Sequence, residues 1–195
     1  MVVPAVFLDR DGVINANVCR DGRAVAPTSL DDFRLLPGVD AGVRRLKIAG
    51  FVVVVVTNQP DIATGRTPAS VVDAMHAVLR NRVCVDDIRV CPHVDEDGCL
   101  CRKPNPGLLL AAAADHGLAL ADSYMVGDRW RDISAGRAAG CTTILLAPDE
   151  KLAPEPFPPH CEEPGFVVPS LSEAVDLILA ETFGRRVPPA AVRTV

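Results

Sequence analysis

Short apolar segments alternate with helix-forming ones along most of this chain, and this alternation constrains the fold more than any other feature. The pattern predicts strands at 2–8, 51–56, 88–91, 123–126, 142–146 and 166–168, and helices at 39–49, 69–82, 107–116, 133–139 and 172–181. The 51–56 segment contains no polar residue, as burial on both faces of a parallel sheet requires. The sequence therefore predicts an α/β fold in which helices cover both faces of a doubly wound parallel sheet.

Length and charge limit the organisation of the chain and its partners. The 195 residues are expected to form one domain over 1–183, with a loop in the proline-rich stretch 148–164 and a flexible tail at 184–195. The net charge of −5 disfavours nucleic acid as a partner, because nucleic-acid binding needs a basic surface. The longest apolar run is too short to cross a bilayer, and the first residues lack the basic region of a signal peptide. We therefore expect a cytoplasmic monomer with a small-molecule substrate.

Polar residues follow three of the predicted strands directly. Asp9 and Asp11 come after the first strand, Thr57 after the second and Asp128 after the fourth. Ligands of open parallel sheets bind beyond the carboxyl ends of the strands, so these side chains are predicted to meet in one crevice. A further stretch supplies Lys103.

The paired carboxylates predict phosphoryl transfer. Asp9 and Asp11 start on the same side of an extended segment, where they repel each other unless a cation or a proton lies between them. That demand is met if Asp9 is ionised, binds Mg²⁺ and attacks phosphorus, while Asp11 is protonated, donates to the leaving oxygen and later acts as base for water. Thr57 would then hydrogen-bond the phosphoryl oxygens and Lys103 would neutralise them. Asp128 would complete the Mg²⁺ site, with the carboxylate at position 132 close by.

Each motif also has an ordinary interpretation. The two aspartates could belong to a capped turn, Thr57 to another turn, Lys103 could be a solvated charge and Asp128 a helix cap. Their order at the ends of apolar segments favours the joint catalytic interpretation. A receiver-like switch, which also carries phosphate on an aspartate, is an alternative of another class. The order of the motifs and a general acid at Asp11 disfavour it.

Four motifs together resemble those of the haloacid dehalogenase (HAD) superfamily of phosphatases. They are Asp9-Arg10-Asp11-Gly12-Val13-Ile14-Asn15, Thr57-Asn58-Gln59, Cys101-Arg102-Lys103-Pro104 and Gly127-Asp128. The resemblance implies that Asp9 is the nucleophile, that Asp11 is the general acid and base, and that Thr57 and Lys103 bind phosphate.

The resemblance also implies a catalytic metal site. Its Mg²⁺ ligands would be Asp9, Asp128 and the main-chain carbonyl of Asp11. Asn58 and Arg102 adjoin the phosphate ligands in the sequence, and we predict that they contribute to substrate binding.

A cysteine-rich loop narrows the resemblance to the subgroup of D-glycero-D-manno-heptose 1,7-bisphosphate 7-phosphatases and histidinol-phosphate phosphatases, which carry a zinc loop in place of a large cap. The loop spans 91–101, with Cys91, His93, Cys99 and Cys101 as ligands. Three thiolates and one imidazole form a closed set suited to structural Zn²⁺. The alternative is a disulfide with His93 at the surface, which a reducing cytosol disfavours.

Cysteines and histidines outside these motifs are assigned no function. Cys84 and Cys141 are expected to be small core residues. His76, His116 and His160 are expected at the surface or at helix ends.

The substrate is less constrained than the chemistry. The segments Val13-Ile14-Asn15 and Ser123-Tyr124-Met125-Val126-Gly127-Asp128 resemble the heptose enzymes, whereas the five residues between His93 and Cys99 resemble the histidinol type. Arg129, together with Arg131, could bind the second phosphate of a sugar bisphosphate, or could lie at a solvated helix start. The sequence favours a Mg²⁺-dependent phosphomonoesterase that removes the C7 phosphate of a heptose 1,7-bisphosphate through an aspartyl phosphate, with histidinol phosphate as the alternative substrate.

Overall fold

The computed structural model describes residues 2–20, 22–147, 158–159, 161 and 163–186. Its strands are β1 (Ala5–Leu8), β2 (Val18–Arg20), β3 (Arg23–Val25), β4 (Val52–Asn58), β5 (Asp87–Cys91), β6 (Tyr124–Gly127), β7 (Thr142–Leu146) and β8 (Phe166–Val168). Its helices are α1 (Val39–Ile48), α2 (Ala69–Arg82), α3 (Gly107–His116), α4 (Trp130–Ala138) and α5 (Leu171–Arg186).

Six of these strands form one parallel sheet in the order β5-β4-β1-β6-β7-β8. The chain enters at the centre with β1, proceeds outward through β4 and β5, and then crosses to β6 on the other side of β1. The predicted doubly wound parallel sheet is therefore confirmed. Because the strand order reverses at β1, the crevice for a ligand lies at the carboxyl ends of β1 and its two neighbours.

Helices cover the sheet on both faces because successive side chains of each strand point in opposite directions. Val6 and Leu8 of β1 belong to a core cluster shared with α1, α2 and α5. Ala5 and Phe7 belong to a second cluster shared with α3 and α4. The central strand is buried throughout, so its end is held rigidly where the predicted catalytic residues begin.

Several details differ from the sequence prediction. The hairpin β2–β3 was not predicted, because its strands have only three residues each and carry polar side chains. Among the described residues, β2 and β3 are the only named strands between β1 and α1, which agrees with the prediction that the protein carries no large cap domain. Helix α5 continues to Arg186, so 184–186 are helical instead of belonging to the predicted tail. The rest of that tail and most of 148–164 lie outside the described residues.

Among the described residues, the helices are too short or too polar to cross a bilayer.

Candidate active site

The predicted site residues meet at the carboxyl end of the sheet. Asp9 directly follows β1, and its main-chain N–H donates to the carbonyl of Val126 in β6 at 2.9 Å. Thr57 lies near the end of β4, and Asp128 directly follows β6. Lys103 comes from the loop after β5, and its Nζ reaches Asp9 Oδ1 at 2.7 Å. Groups separated by more than a hundred residues in the sequence thus share one crevice.

Lys103 is the central cation of the site, with its side chain only 2% exposed. Its ammonium donates to Asp9 Oδ1 at 2.7 Å, to Asp132 Oδ1 at 2.6 Å and to the carbonyl of Val56 at 2.8 Å. Burial alone would lower the pKa of Lys103, but Asp132 and Asp9 outweigh this effect and hold that pKa above its usual value. Lys103 therefore remains charged and fixes the direction of the Asp9 carboxylate.

Asp9 and Asp128 have a surplus of negative charge around them. Burial, together with the neighbouring carboxylates, raises the pKa of Asp9 to about 6, although Lys103 opposes the shift. Burial and the charges of Asp9 and Asp132 raise the pKa of Asp128 to about 8. A bound cation would relieve both effects, because it favours the ionised form of each carboxylate.

The same carboxylates fit a hard divalent cation. One carboxylate oxygen from each of Asp9, Asp128 and Asp132 lies within 4.8 Å of the other two. Asp128 Oδ1 is buried and has no hydrogen-bond partner in the described part of the chain, while its Oδ2 accepts from Asn17 Nδ2 at 3.2 Å. A buried oxygen without a donor suits a metal ligand, and oxygen ligands are those that Mg²⁺ prefers.

Asp132 has a role that the sequence did not reveal. Its Oδ1 accepts from Lys103, and its Oδ2 accepts from the main-chain N–H of Arg129 at 3.1 Å, which caps the start of α4. A Cβ at position 127 would lie 2.1 Å from the Cβ of Asp132, so Gly127 permits this close approach. Since both oxygens are already bonded, Asp132 anchors Lys103 and contributes negative charge to the candidate metal site.

Asp11 faces a different set of groups. Its oxygens accept hydrogen bonds from Arg10 Nη2 at 2.9 and 3.0 Å, from Asn15 Nδ2 at 2.9 Å and from Gln59 Nε2 at 2.8 Å. Every one of these partners is a donor, so the hydrogen bonds fix the orientation of the Asp11 carboxyl group from several sides. The side chain is also absent from the carboxylate cluster around Asp9, which leaves the main-chain carbonyl as the ligand that the resemblance implies.

Thr57 and Asn58 differ in their availability to a ligand. Thr57 Oγ1 accepts from Gln59 Nε2 at 2.8 Å, so its hydroxyl hydrogen remains able to donate to a phosphate oxygen. The Asn58 amide instead forms a reciprocal pair with the main chain of Lys103, donating to its carbonyl at 3.0 Å and accepting from its N–H at 3.1 Å. In this structure Asn58 therefore holds the Lys103 loop against β4.

The four predicted zinc ligands converge in the loop after β5. Sulfur atoms of Cys91, Cys99 and Cys101 lie 3.2–3.6 Å apart, and His93 Nδ1 lies 3.3 and 3.5 Å from Cys101 and Cys91. A disulfide bond is much shorter, at about 2.05 Å. The separations are close to the edge of a tetrahedron with Zn–S bonds of about 2.3 Å, so this donor set fits Zn²⁺.

The side chains of the predicted arginines already have hydrogen-bond partners within the protein. Arg102 Nε donates to Asp95 Oδ1 at 2.7 Å, and Arg131 donates to both oxygens of Asp95 at 3.1 and 3.3 Å. Arg129 Nη2 donates to the carbonyl of Ala24 in β3 at 3.1 Å. Asp95 thus joins the zinc loop to α4, and Arg129 joins the hairpin β2–β3 to the end of β6.

Predictions for the remaining histidines and cysteines had mixed outcomes. His116 ends α3 and Cys141 is buried, both as expected, whereas Cys84 is exposed and its predicted core position is wrong. The prediction for His76 is also wrong, since this residue is 3% exposed. The spacing of Val72, His76 and Leu79 along α2 places the imidazole on the apolar face, which was the signal in the sequence. His160 lies outside the described residues.

Comparison with known proteins agrees with this geometry. Residues 100–174 match the family model described as HAD-hydrolase-like. The D-glycero-beta-D-manno-heptose-1,7-bisphosphate 7-phosphatase of Escherichia coli (strain K12) is 40% identical over 78% of this chain and 84% of its own length. The D-glycero-D-manno-heptose-1,7-bisphosphate 7-phosphatase of Thermosynechococcus vestitus is 37% identical, with 90% and 95% covered. Among solved structures, the chain is similar to the D,D-heptose 1,7-bisphosphate phosphatase of B. bronchiseptica, which was solved in complex with magnesium and phosphate. The two structures have a TM-score of 0.74 and 30% sequence identity, and the match covers 91% of this chain and 99% of that chain.

Proposed function

Because the chain belongs to the HAD-like phosphatases and is related over most of its length to the heptose 1,7-bisphosphate 7-phosphatases, we propose that it removes the C7 phosphate of D-glycero-D-manno-heptose 1,7-bisphosphate. The observation that carries this proposal is the buried bridge from Lys103 to Asp9 at the switch point of the sheet. It leaves a carboxylate nucleophile beside a fixed cation, which is the pairing that phosphoryl transfer requires.

The first half of the reaction forms a phosphoenzyme. A carboxylate oxygen of Asp9 attacks phosphorus, the bond from phosphorus to the ester oxygen breaks, and a proton carried by Asp11 passes to that oxygen to release the alcohol. Thr57 donates to the phosphoryl oxygens while Lys103 holds Asp9 in line and balances the charge. Asn58 assists by fixing the main chain of Lys103.

The second half returns the enzyme to its starting state. Asp11 takes a proton from a water molecule, the water oxygen attacks phosphorus, and the bond from phosphorus to Asp9 breaks to release inorganic phosphate. The donor-rich surroundings of Asp11 hold the acceptor form that this step needs. The proton gained here serves the next cycle, so the two steps balance.

Two metal ions would support these residues. Mg²⁺ would be held by Asp9, Asp128 and the main-chain carbonyl of Asp11, and when bound it supplies charge neutralisation for the phosphoryl group. Zn²⁺ would be held by the cluster Cys91, His93, Cys99 and Cys101, and it would order a loop that has little apolar material of its own. An ordered loop would support Arg102 and Lys103, which directly follow it in the sequence.

We assign the binding of the second phosphate of the substrate to a group of arginine side chains, the arginine rim, formed by Arg102, Arg129 and Arg131. Arg102 and Arg131 share the single carboxylate of Asp95, so this group of three side chains carries a net positive charge. A guanidinium can bind phosphate through two hydrogen bonds, and a phosphate could replace Asp95 as the partner of either arginine. Arg129 is the further arginine that we assign to this end of the substrate.

Histidinol phosphate remains the second candidate substrate. The observation that favours it is the short spacing of five residues between His93 and Cys99. Histidinol phosphate has one phosphate, so it offers the arginine rim no second anion.

We also propose that the enzyme acts as a cytoplasmic monomer. A phosphorylated sugar is a cytosolic type of substrate, and a reducing compartment keeps metal-binding cysteines free of disulfides.

A substrate panel tests the proposed function. Phosphate release is measured with heptose 1,7-bisphosphate, heptose 1-phosphate, heptose 7-phosphate and histidinol phosphate, with Mg²⁺ and with a chelator. We expect the bisphosphate to give the highest kcat/KM, with the 1-phosphate left as product and with activity dependent on Mg²⁺. The Asp9→Asn variant should have no turnover, whereas Asp31→Asn, at an exposed position, should retain it. Equal and low rates across the panel, or turnover in Asp9→Asn, would contradict the proposal.

A further inference from the structure

Arg10 is an unusual residue to find in the interior of a protein. It lies between the two catalytic aspartates in the sequence, and its side chain is 0% exposed, which makes it one of the largest fully buried side chains of the described chain. A buried guanidinium is stable only when its donors are paired. The partners of Arg10 therefore indicate what it is for.

Most of the donors of Arg10 are directed at Asp11. Nη2 lies 2.9 and 3.0 Å from the two oxygens of that carboxylate, and Nε lies 3.2 Å from Oδ1. The remaining nitrogen, Nη1, lies 3.0 Å from His76 Nε2 on α2. The Arg10 guanidinium carbon also stands 5.8 Å from the centre of the Phe33 ring. The guanidinium thus contacts α2 and an aromatic ring, and it donates hydrogen bonds to Asp11.

We propose that Arg10 and His76 are a positioning pair, in which His76 on α2 orients the Arg10 guanidinium and the guanidinium holds the Asp11 carboxylate in place for proton transfer. This inference rests on the proposed phosphatase function, because it assigns a purpose to Asp11 within that reaction.

The hydrogen-bonding chemistry of His76 supports this assignment. Arginine has donors and no acceptor, so the Nε2 atom that faces Nη1 must accept, and the ring proton must be on Nδ1. Burial lowers the pKa of His76 to about 4, and the charge of Arg10 acts in the same direction. The imidazole is therefore neutral at physiological pH, which is the state that can accept from Arg10.

The remaining partners of Asp11 connect this pair to the phosphate. Gln59 Nε2 donates both to Asp11 Oδ2 and to Thr57 Oγ1, at 2.8 Å each. Asn15 Nδ2 completes the set of donors at 2.9 Å. Asp11 is therefore fixed relative to the hydroxyl that is to bind the phosphoryl group. A proton donor or acceptor is effective only when it is held within hydrogen-bond reach of the reacting oxygen.

Substrates whose leaving groups differ in their need for a proton distinguish a loss of Asp11 positioning from a loss of protein stability. A sugar oxygen must be protonated as it leaves, so its release depends on where Asp11 stands. The p-nitrophenolate ion leaves without a proton, and its release does not depend on Asp11. A variant with a displaced Asp11 therefore loses activity toward the sugar bisphosphate selectively, whereas a partly unfolded variant loses activity toward both substrates equally.

The experiment compares kcat/KM for heptose 1,7-bisphosphate and p-nitrophenyl phosphate in Arg10→Lys, His76→Leu and His76→Gln. We expect the ratio of sugar to aryl activity to fall roughly tenfold to a hundredfold in Arg10→Lys and about tenfold in His76→Leu. His76→Gln should restore the ratio to within about twofold of wild type, because its carbonyl oxygen can accept from Arg10. The first two variants should also show a burst of p-nitrophenol, since release of phosphate from Asp9 still requires Asp11 as base.

Controls separate the possible failures. His116→Leu, at the exposed end of α3, should leave the ratio unchanged. If wild type hydrolyses neither substrate, the proposed function is wrong. If wild type is active and the ratio stays constant in Arg10→Lys and His76→Leu, the positioning pair is wrong. Should Arg10→Lys fail to fold by circular dichroism, the contrast between His76→Leu and His76→Gln decides alone, and equal ratios in those two variants overturn the inference.

Discussion

Replacing Lys103 by methionine tests how much of the stability of the site depends on one buried cation. The ammonium lies between Asp9 and Asp132, and the three side chains are 2%, 11% and 2% exposed, respectively. Methionine keeps a similar length and loses the charge. Two buried carboxylates then lack their partner, and breaking a buried ion pair in this way costs about 3–5 kcal/mol. We expect the free energy of unfolding of metal-free Lys103→Met to fall by about this amount at pH 8, where the carboxylates are most fully ionised.

Urea denaturation of the metal-free protein measures the loss, and Lys47→Met is the matched control. Lys47 pairs with Asp86 at the surface, where the two side chains are 33% and 28% exposed. Pairs of that kind contribute about 0–1 kcal/mol. Lys103→Met should also lose phosphatase activity, whereas Lys47→Met should retain it.

The dependence of this loss on pH and metal refines the prediction. At pH 5 the destabilisation of Lys103→Met should shrink, because Asp9 and its neighbours can take up protons when the ammonium is gone. Saturating Mg²⁺ should also reduce it, since the ion supplies another positive charge. A stability of Lys103→Met within about 1 kcal/mol of Lys47→Met at pH 8 would refute the reasoning that these carboxylates depend on the ammonium.

Three further predictions concern the two proposed metal sites. Gly12→Ala should weaken Mg²⁺ binding in calorimetry by at least about tenfold, because the added Cβ would lie 2.0 Å from Asp128 Oδ2. Gly22 also has a positive φ but has open space around it, so Gly22→Ala should leave Mg²⁺ binding unchanged. The affinity for Mg²⁺ should rise with pH and level off only well above the higher of two raised pKa values, because protons compete for carboxylates whose pKa values are about 6 and about 8 in the metal-free protein. An affinity that is constant from pH 6 to 8 would contradict this prediction. Metal analysis should find about one zinc per chain. Cys99→Ser should reduce both the zinc content and the phosphatase activity, whereas Cys19→Ser, at an exposed position, should change neither. A zinc-free wild-type protein with full activity would exclude a structural role for zinc.

The sequence predicted the sheet well because its signals are local. Helices α2 and α3 and strands β7 and β8 have the predicted bounds, since apolar periodicity and a following Gly117 in the case of α3 define them within a few residues. The convergence of Asp9, Thr57 and Asp128 was predictable as well, because parallel strands end at the same edge of a sheet. The spacing of the cysteines indicated a metal-binding loop, and the resemblance to the zinc-loop subgroup implied the four residues that the structure brings together.

Contacts between distant segments could not be predicted in this way. Asn58 carries an amide suited to a substrate, but its partner is the main chain of Lys103, 45 residues away. The bond from His76 to Arg10 spans 66 residues, and nothing in the local pattern of α2 shows which buried donor the imidazole meets. The sequence placed Asp132 only near the predicted Mg²⁺ site, since its bond to Lys103 depends on how α4 packs beside the loop 91–101.

The position of β1 in the middle of the sheet has a consequence for biosynthesis. Asp9 directly follows β1, yet β6 and α4, which bring Asp128 and Asp132 to it, are translated more than a hundred residues later. Long-range parallel pairing of this kind closes slowly, and partly made chains expose unpaired strand edges. We therefore expect nascent chains that stop before about residue 132 to be inactive and dependent on chaperones, with catalytic turnover appearing late during refolding.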